Sequence, residues 1–233
     1  MAGTAQSPRA RYREQTRAEI KEIALRQLAE GGTASVALTR IAKEVGLSGP
    51  ALYRYFDSRD ALLTDLIRDA YADLAAAVTT AGDALAPDTP PRARAQALGG
   101  ACRAWAVAQP HRYLLIEGTP VPGYTAPPDT LDGARAVLGP FLAVFEGAEP
   151  SAAVRPVVDQ MTAWAKSDAG VARWARAAGG SAGAALAGAV LAWSHMHGAI
   201  GLEVSGQFEG MGHDGATLLR AQIDMLADAF GLD

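Results

Sequence analysis

Residues Leu38 to Arg59 read LTRIAKEVGLSGPALYRYFDSR, and the order of residue types here decides the fold of the N-terminal end. Leu38, Ile41, Ala42 and Val45 recur at helical spacing and share one face. Gly46 predicts the end of that helix, because glycine takes the left-handed conformation of a C-terminal cap. Leu47 is expected to plug back into a small core. Ser48 suits an N-cap, and Pro50 fits the first turn of a second helix. Ala51 and Leu52 are expected inside; Tyr53, Arg54 and Tyr55 are expected outside. A three-helix unit gains no stability from exposing two tyrosines and an arginine in a row, whereas a nucleic-acid groove uses all three. The pattern is that of a helix-turn-helix, whose second helix enters the major groove of DNA.

Upstream, Thr16 and Glu19 form a T-x-x-E capping box, so the first helix is expected to begin at Arg17. Ile20, Ile23, Ala24 and Leu28 give it an inner stripe, and Gly31-Gly32 stops it. Residues 1 to 12 are small, polar and proline-containing, which predicts disorder in the free protein. Arg9, Arg11 and Arg13 read either as an arm on the phosphate backbone or as a solvated tail. Downstream, Asp57 and Ser58 can cap a long helix from Arg59. Its apolar face continues through Ala61, Leu62, Leu66, Ile67, Ala70, Leu74 and Val78.

The string IAKEVGLSGPALYRYFDSRDALL, Ile41 to Leu63, resembles the signature of the tetracycline-repressor (TetR) family of transcriptional regulators, and the likeness runs from about Arg13 to Tyr71. It implies an all-α protein, with a helix-turn-helix DNA-binding domain over 13–60 and a ligand-binding and dimerisation domain over 61–233. By that resemblance the DNA-contacting positions are Arg17, Thr39, Ser48, Gly49, Pro50, Tyr53, Arg54, Tyr55 and Arg59. The family usually carries a serine or threonine where Ala37 stands, so either Ser35 substitutes from a slightly different frame or the cap of the second helix is weaker by about 1 kcal/mol. Arg54 has the reach for a bidentate contact to guanine, worth about 1–3 kcal/mol of discrimination. The alternative packs Tyr53 on the first helix and pairs Arg59 with Asp57 or Glu44. A dimer is implied because one module contacts too few phosphates; two recognition helices about 34–36 Å apart read successive major grooves of a near-palindrome.

Charge agrees with this polarity. The net charge is −4, yet residues up to Arg59 hold ten basic against six acidic groups and the remainder eleven against nineteen. Any DNA contact therefore belongs at the N-terminal end. About half the residues are apolar and aromatics are few, which favours packed helices over sheet. The single cysteine, Cys102, excludes an intrachain disulfide and fits a reducing cytoplasm. The N-terminus lacks the apolar run of a signal peptide. The apolar stretch Ala182 to Trp193 is shorter than the roughly 20 residues of a membrane span.

Beyond a proline-rich break, Gly82 to Pro91, helices are expected over 92–108, 111–117, 132–145, 151–166, 168–178, 181–205 and 216–230. The loop GTPVPGYTAPPD, residues 118–129, is too rich in glycine and proline to be regular. Trp105, Tyr113, Tyr124, Phe141, Trp164, Trp174 and Trp193 all fall in this half. Helical bundles hold small molecules between helices against aromatic walls. An effector site lined by Trp105, Tyr113, Tyr124, Phe141, Trp164 and Trp193, with Gln160 or His197 as polar anchors, is the expectation; plain core packing is the alternative for each. AWSHMHGAIGLE, Ala192 to Glu203, is similar to a Trp-His-Gly pattern in one TetR subgroup, matched by Trp193, His197 and Gly198, and QPHRYLLIEGTPVPGY belongs to the same pattern. The last two long helices are apolar over wide faces, which predicts a four-helix dimer interface or else ordinary intrachain packing. The helix from Arg59 to Val78 is expected to be the lever between ligand and DNA.

Enzymatic readings fare poorly. Ser181 lies in a G-x-S-x-G string, Gly179 to Gly183, but no strand pattern precedes it, so no nucleophile elbow is indicated. His195 and His197 stand two apart on a helix and face different sides, which makes a poor metal pair, and neither metal nor cofactor is expected. GGSAGAALAG lacks a preceding strand, so a dinucleotide fold is not indicated. Cys102 on an alanine-rich helix reads as a buried small side chain. The remaining competitor is a TetR-like activator, or a regulator answering to a protein partner.

Overall fold

The computed structural model describes residues 7–117, 124–176 and 181–233, and among them every regular element is helical. The chain divides into two compact units, Met1–Asp69 with Thr119–Pro127, and Ala70–Gly118 with Pro128–Asp233.

In the first unit, α1 spans Pro8–Gly31, α2 Leu38–Val45, α3 Gly49–Leu52, and α4 begins at Arg59 and runs to Asp83. The first helix starts well before the T-x-x-E box. Ser7 caps it through Oγ, which accepts from the Ala10 amide at 3.2 Å, and Pro8 occupies the first turn. Serine followed by proline is a stronger start than Thr16, because proline's fixed φ is preset for the first turn. Thr16 instead sits inside the helix, where its hydroxyl donates to the Tyr12 carbonyl at 3.0 Å. The disorder expected for residues 1–12 is therefore replaced by helix from Pro8; residues 1–6 lie outside the described residues.

Ile20, Ile23, Ala24 and Leu28 of α1 are buried, as their spacing predicts, and so are Val36, Ile41, Ala42, Leu52, Phe56, Leu62 and Leu66 of the same unit. Each fully buried large side chain stabilises by about 1.5–3 kcal/mol, which is how so small a unit holds its shape. Gly46 ends α2 at φ 76°, in the left-handed region. Its neighbour Leu47 donates its amide back to Ala42 at 2.8 Å. The weak cap at Ala37 is supported from outside the helix. Gln27, almost fully buried on α1, accepts from the Ala37 amide at 3.0 Å.

The second unit is built around α10, Ala182–Val204. The others are α5 (Pro91–Ala108), α6 (Pro110–Glu117), α7 (Thr130–Val144), α8 (Arg155–Ser167), α9 (Ala169–Arg176) and α11 (Gly215–Ala229). Residues 183 to 189 of α10 are all buried, so this stretch is surrounded on every side. Only small residues permit that. A Cβ at Gly188 would fall on the ring of Phe145, and one at Gly183 would strike Thr162. Phe145 in turn meets Phe230 edge-on at 4.9 Å. At 23 residues α10 is longer than the apolar run Ala182 to Trp193 suggested, and by length and composition it could cross a membrane. Its burial among α5, α7, α8 and α11 accounts for its apolar character instead. Arg103 forks onto Glu203 at 2.8 and 2.5 Å, tying α5 to α10. Asp214 caps α11, accepting from the amides of Ala216 and Thr217.

Candidate functional site

The turn between α2 and α3 sorts its side chains as the sequence requires. Leu52 and Phe56 are 1% and 3% exposed and anchor the segment, whereas Tyr53 is 51% exposed. Thr39, Ser48, Gly49, Pro50 and Arg54 are exposed with it, and Tyr55 is half-buried. Ser48 Oγ accepts from the Ala51 amide at 3.3 Å, so the serine is the N-cap. The α-helical run is a single turn, Gly49–Leu52, and Tyr53 to Tyr55 continue it as turns.

The four arginines around this turn differ in what holds them. Arg54 presents its side chain to solvent. Arg17 is engaged within the unit: one nitrogen donates to the Tyr55 carbonyl at 2.6 Å, another pairs with Asp65, and the guanidinium lies 4.3 Å over the Phe56 ring. Arg59 is also engaged, donating to the Val36 carbonyl at 3.0 Å and to the Thr33 carbonyl. It fastens the start of α4 to the 3-10 turn Thr33–Ser35; Glu44, one partner considered for it, pairs with Arg26 and Arg40. Arg13 donates to the Arg54 carbonyl at 3.1 Å and lies 5.9 Å over the Tyr55 ring. The backbone of the exposed turn is thus held from α1 by two arginines, a role that residue spacing alone did not reveal.

The second unit contains a small apolar cavity lined by Leu74, Cys102, Tyr113, Trp193, Met196, His197 and Ile200, with room for about one water molecule, roughly 10 Å³. Three sequence-predicted ligand residues meet there: Tyr113, Trp193 and His197. The Tyr113 hydroxyl lies 3.1 Å from His197 Nδ1. Trp105 is half-buried and carries the Arg112 guanidinium 5.6 Å over its ring. Phe141, 1% exposed, belongs to the apolar core, and Gln160 and the 40%-exposed Trp164 stand outside the cavity lining on α8. Tyr124 belongs to the first unit, its hydroxyl 3.0 Å from that of Thr64.

The group that sequence reading missed is Glu117. Its side chain is 9% exposed, its Oε2 stands 3.3 Å from His197 Nδ1, and its Oε1 is buried without a hydrogen-bond partner. Burial pushes its carboxyl up to about 8, and burial pushes the His197 imidazole down. Both partners are therefore neutral near pH 7, and Nδ1 has one lone pair for either the Tyr113 hydroxyl or the Glu117 carboxyl proton. The same burial lifts the Cys102 thiol to about 12, leaving it unreactive. A sequence signal for Glu117 existed: Tyr113 and Glu117 stand four apart on α6 and share a face.

Comparison with known proteins gives two family matches. Residues 20–66 match the model of bacterial regulatory proteins of the tetR family, and residues 95–226 match that of the tetracyclin repressor-like C-terminal domain. The chain belongs to the TetR family of transcriptional regulators. TetR regulators bind DNA through their helix-turn-helix and are not enzymes. The HTH-type transcriptional regulator Rv1816 of Mycobacterium tuberculosis is 39% identical over 197 residues, covering 84% of this chain and 83% of the relative. The crystal structure of regulatory protein SCO4313 superposes with a TM-score of 0.74 at 39% identity, over 95% of this chain and all of that one. A protein of unknown function from Rhodococcus sp. RHA1 shares the fold, with a TM-score of 0.65 at 23% identity over 93% of this chain and 95% of that one.

Proposed function

We propose that this TetR regulator is a cytoplasmic repressor that binds a near-palindromic operator as a homodimer and is released by a small, mainly apolar effector. One observation carries the DNA-reading part: Thr39, Ser48, Tyr53 and Arg54 are exposed together while Leu52 and Phe56 anchor the turn beneath them. Such side chains contribute little to folding and are free to meet base edges and phosphates. Gly49 and Pro50 let backbone approach the duplex closely, and Tyr55 adds a hydroxyl at the edge. Arg13 and Arg17 serve the same surface by fixing its backbone, and Arg59 by holding the Thr33 and Val36 carbonyls ahead of α2.

The dimer rests on the outer faces of α10 and α11. Ser194, Gly198 and Leu202 form one stripe and Ala221 and Met225 another; Leu202 is 46% and Met225 61% exposed. A Cβ at Gly198 would meet nothing within 4 Å, so a second helix has room to approach. The cavity at Tyr113, Trp193 and His197 is the effector site in this reading, and α4, which carries residues of both units, is the lever. A coupling of about 1–3 kcal/mol is sufficient for release. Trp193, His197 and Gly198 also support placement in the TetR subgroup with that C-terminal pattern.

The test is a mobility shift on the DNA upstream of the protein's own coding sequence, repeated with candidate effectors. Retention at low ionic strength that an effector abolishes is the expected result; indifference to every such fragment counts against it. Transcription from that DNA in a reporter strain separates repression from the second reading, an activator or protein-partnered regulator.

A further inference from the structure

We propose that the second unit takes an organic ammonium cation with a flat apolar body at the cavity of Tyr113, Trp193 and His197, and that Glu117, which stands 3.3 Å from His197 and not on the cavity wall, is its counter-ion. This deepens the effector reading above and rests on it. Three observations converge. The carboxylate oxygen Oε1 of Glu117 is buried and has no partner, on a side chain more than nine-tenths buried. A buried acceptor left unmatched costs about 1–3 kcal/mol, more when charged, so a ligand that supplies a donor recovers that loss. Among the described residues the basic group within ion-pairing distance of Glu117 is His197 alone. Three arginines of the unit hold acidic partners of their own: Arg112 holds Asp73 at 2.6 Å, Arg103 holds Glu203, and Arg92 holds Asp228 at 2.5 Å.

The walls fit the rest of such a ligand. Trp193 and Tyr113 offer aromatic surface for a cation and its ring. Leu74, Met196 and Ile200 offer apolar surface, and methionine re-packs readily around a guest. The Tyr113 hydroxyl oxygen, 3.1 Å from His197 Nδ1, is a further acceptor on the cavity wall, and the His197 side chain is 41% exposed. The free cavity is small, so the ligand enters by displacing the half-buried Trp193 and His197 side chains. A carboxylate ligand gains at most one hydrogen bond from the neutral Glu117 carboxyl and no ion pair. Burial already favours the neutral carboxyl, and an ammonium group reverses that preference by pairing with the ionised form.

Isothermal titration with three matched probes tests this on the full chain without DNA: 2-naphthylmethylamine, 2-naphthalenemethanol and 2-naphthoate. The amine is expected to bind at least about tenfold more tightly than the alcohol, a difference one charge-assisted contact supplies, with the carboxylate weakest. Glu117→Gln is expected to bring the amine down to the alcohol's affinity and leave the alcohol unchanged; Tyr113→Phe is expected to keep the amine first. Equal affinities for amine and alcohol, survival of the preference in Glu117→Gln, or no binding of the amine at millimolar concentration overturns the proposal. If Glu117→Gln fails to fold, a crystal structure of the wild-type protein with the amine decides, and its nitrogen lying away from Glu117 overturns it. Operator binding is measured separately. Amine bound at Glu117 without release of DNA would sink the effector reading and leave the site standing.

Discussion

Arg17, in the middle of the first helix, donates to the backbone carbonyl of Tyr55 at 2.6 Å. A side chain of α1 thereby sets where the exposed turn after α3 lies, and Asp65 on α4 holds the same guanidinium from the other side. Arg17→Met is expected to lower the stability of the first unit by about 1–3 kcal/mol, since it leaves the Tyr55 carbonyl without that donor and Asp65 with Arg68 at 3.6 Å in place of the closer pair. It is also expected to weaken binding to matched and mismatched duplexes alike, with little change in the salt slope. A slope lower by about one would mean that Arg17 touches a phosphate directly. Urea melts and fluorescence anisotropy at several salt concentrations supply both readings.

Arg54 differs because its guanidinium is exposed and supports no other element. Arg54→Ala is expected to leave the melting temperature within about a degree of wild type, as surface substitutions do. It should reduce the preference for operator over a mismatched duplex by about 1–3 kcal/mol. An equal loss on both duplexes would argue against base reading. Arg59→Ala should show the reverse pattern, a lower melting temperature with preference intact, because Arg59 is spent on the Thr33 and Val36 carbonyls.

Gly188 faces the ring of Phe145, and both are buried in the second unit. Gly188→Ala forces the ring or the helix to move and is expected to cost about 1–3 kcal/mol, despite alanine's better helix propensity. Gly198→Ala, on the open face of the same helix, meets nothing and should be neutral or slightly stabilising as a folding change. Thermal melts of the two variants side by side test the contrast, and a stabilised Gly188→Ala would refute the close approach.

Leu202→Glu and Met225→Glu place charge on the stripes assigned to the dimer face. Each is expected to shift the protein toward monomer in analytical ultracentrifugation and to reduce operator affinity at least tenfold, since a lone module makes too few phosphate contacts. Unchanged sedimentation in the double variant would send the dimer contact elsewhere.

The Glu117 carboxyl, held at about 8 by burial, gives the stability a pH dependence of unusual sign for an acidic group. The folded chain keeps a proton that the unfolded chain has released, so this contribution is complete below the ordinary carboxylate range and is lost as pH rises toward 8. His197, pushed down by burial, works in the opposite direction and only below its ordinary range. From about pH 6.5 to 8 Glu117 acts alone, with a slope of up to roughly 1.4 kcal/mol per pH unit. Urea midpoints across that window should fall for the wild type and stay flatter for Glu117→Gln; parallel curves would show that Glu117 ionises freely.

The sequence by itself determined the all-helical class and the helix-turn-helix, because each depends on contacts a few residues apart. Apolar spacing set the inner faces of α1, α2 and α4, Gly46 set a left-handed stop, and Ser48-Gly49-Pro50 set a helix start; all are local rules of backbone geometry. The same locality misled at Thr16, where a good capping box sits inside a helix that Ser7-Pro8 begins earlier. What only the tertiary structure decided are matches between distant residues: Arg17 with Tyr55, Gln27 with Ala37, Arg59 with Thr33 and Val36, Glu117 with His197. Aromatic content marked the second unit as rich in cavity-forming residues, but it did not separate Trp193 at the cavity from Trp164 on the surface. Burial depends on how helices cross, and side chains eighty residues apart carry no periodic signal of their meeting. Glu117 was the hardest to foresee, since an acidic residue at a helix end ordinarily faces water, and only the packing around it takes that water away.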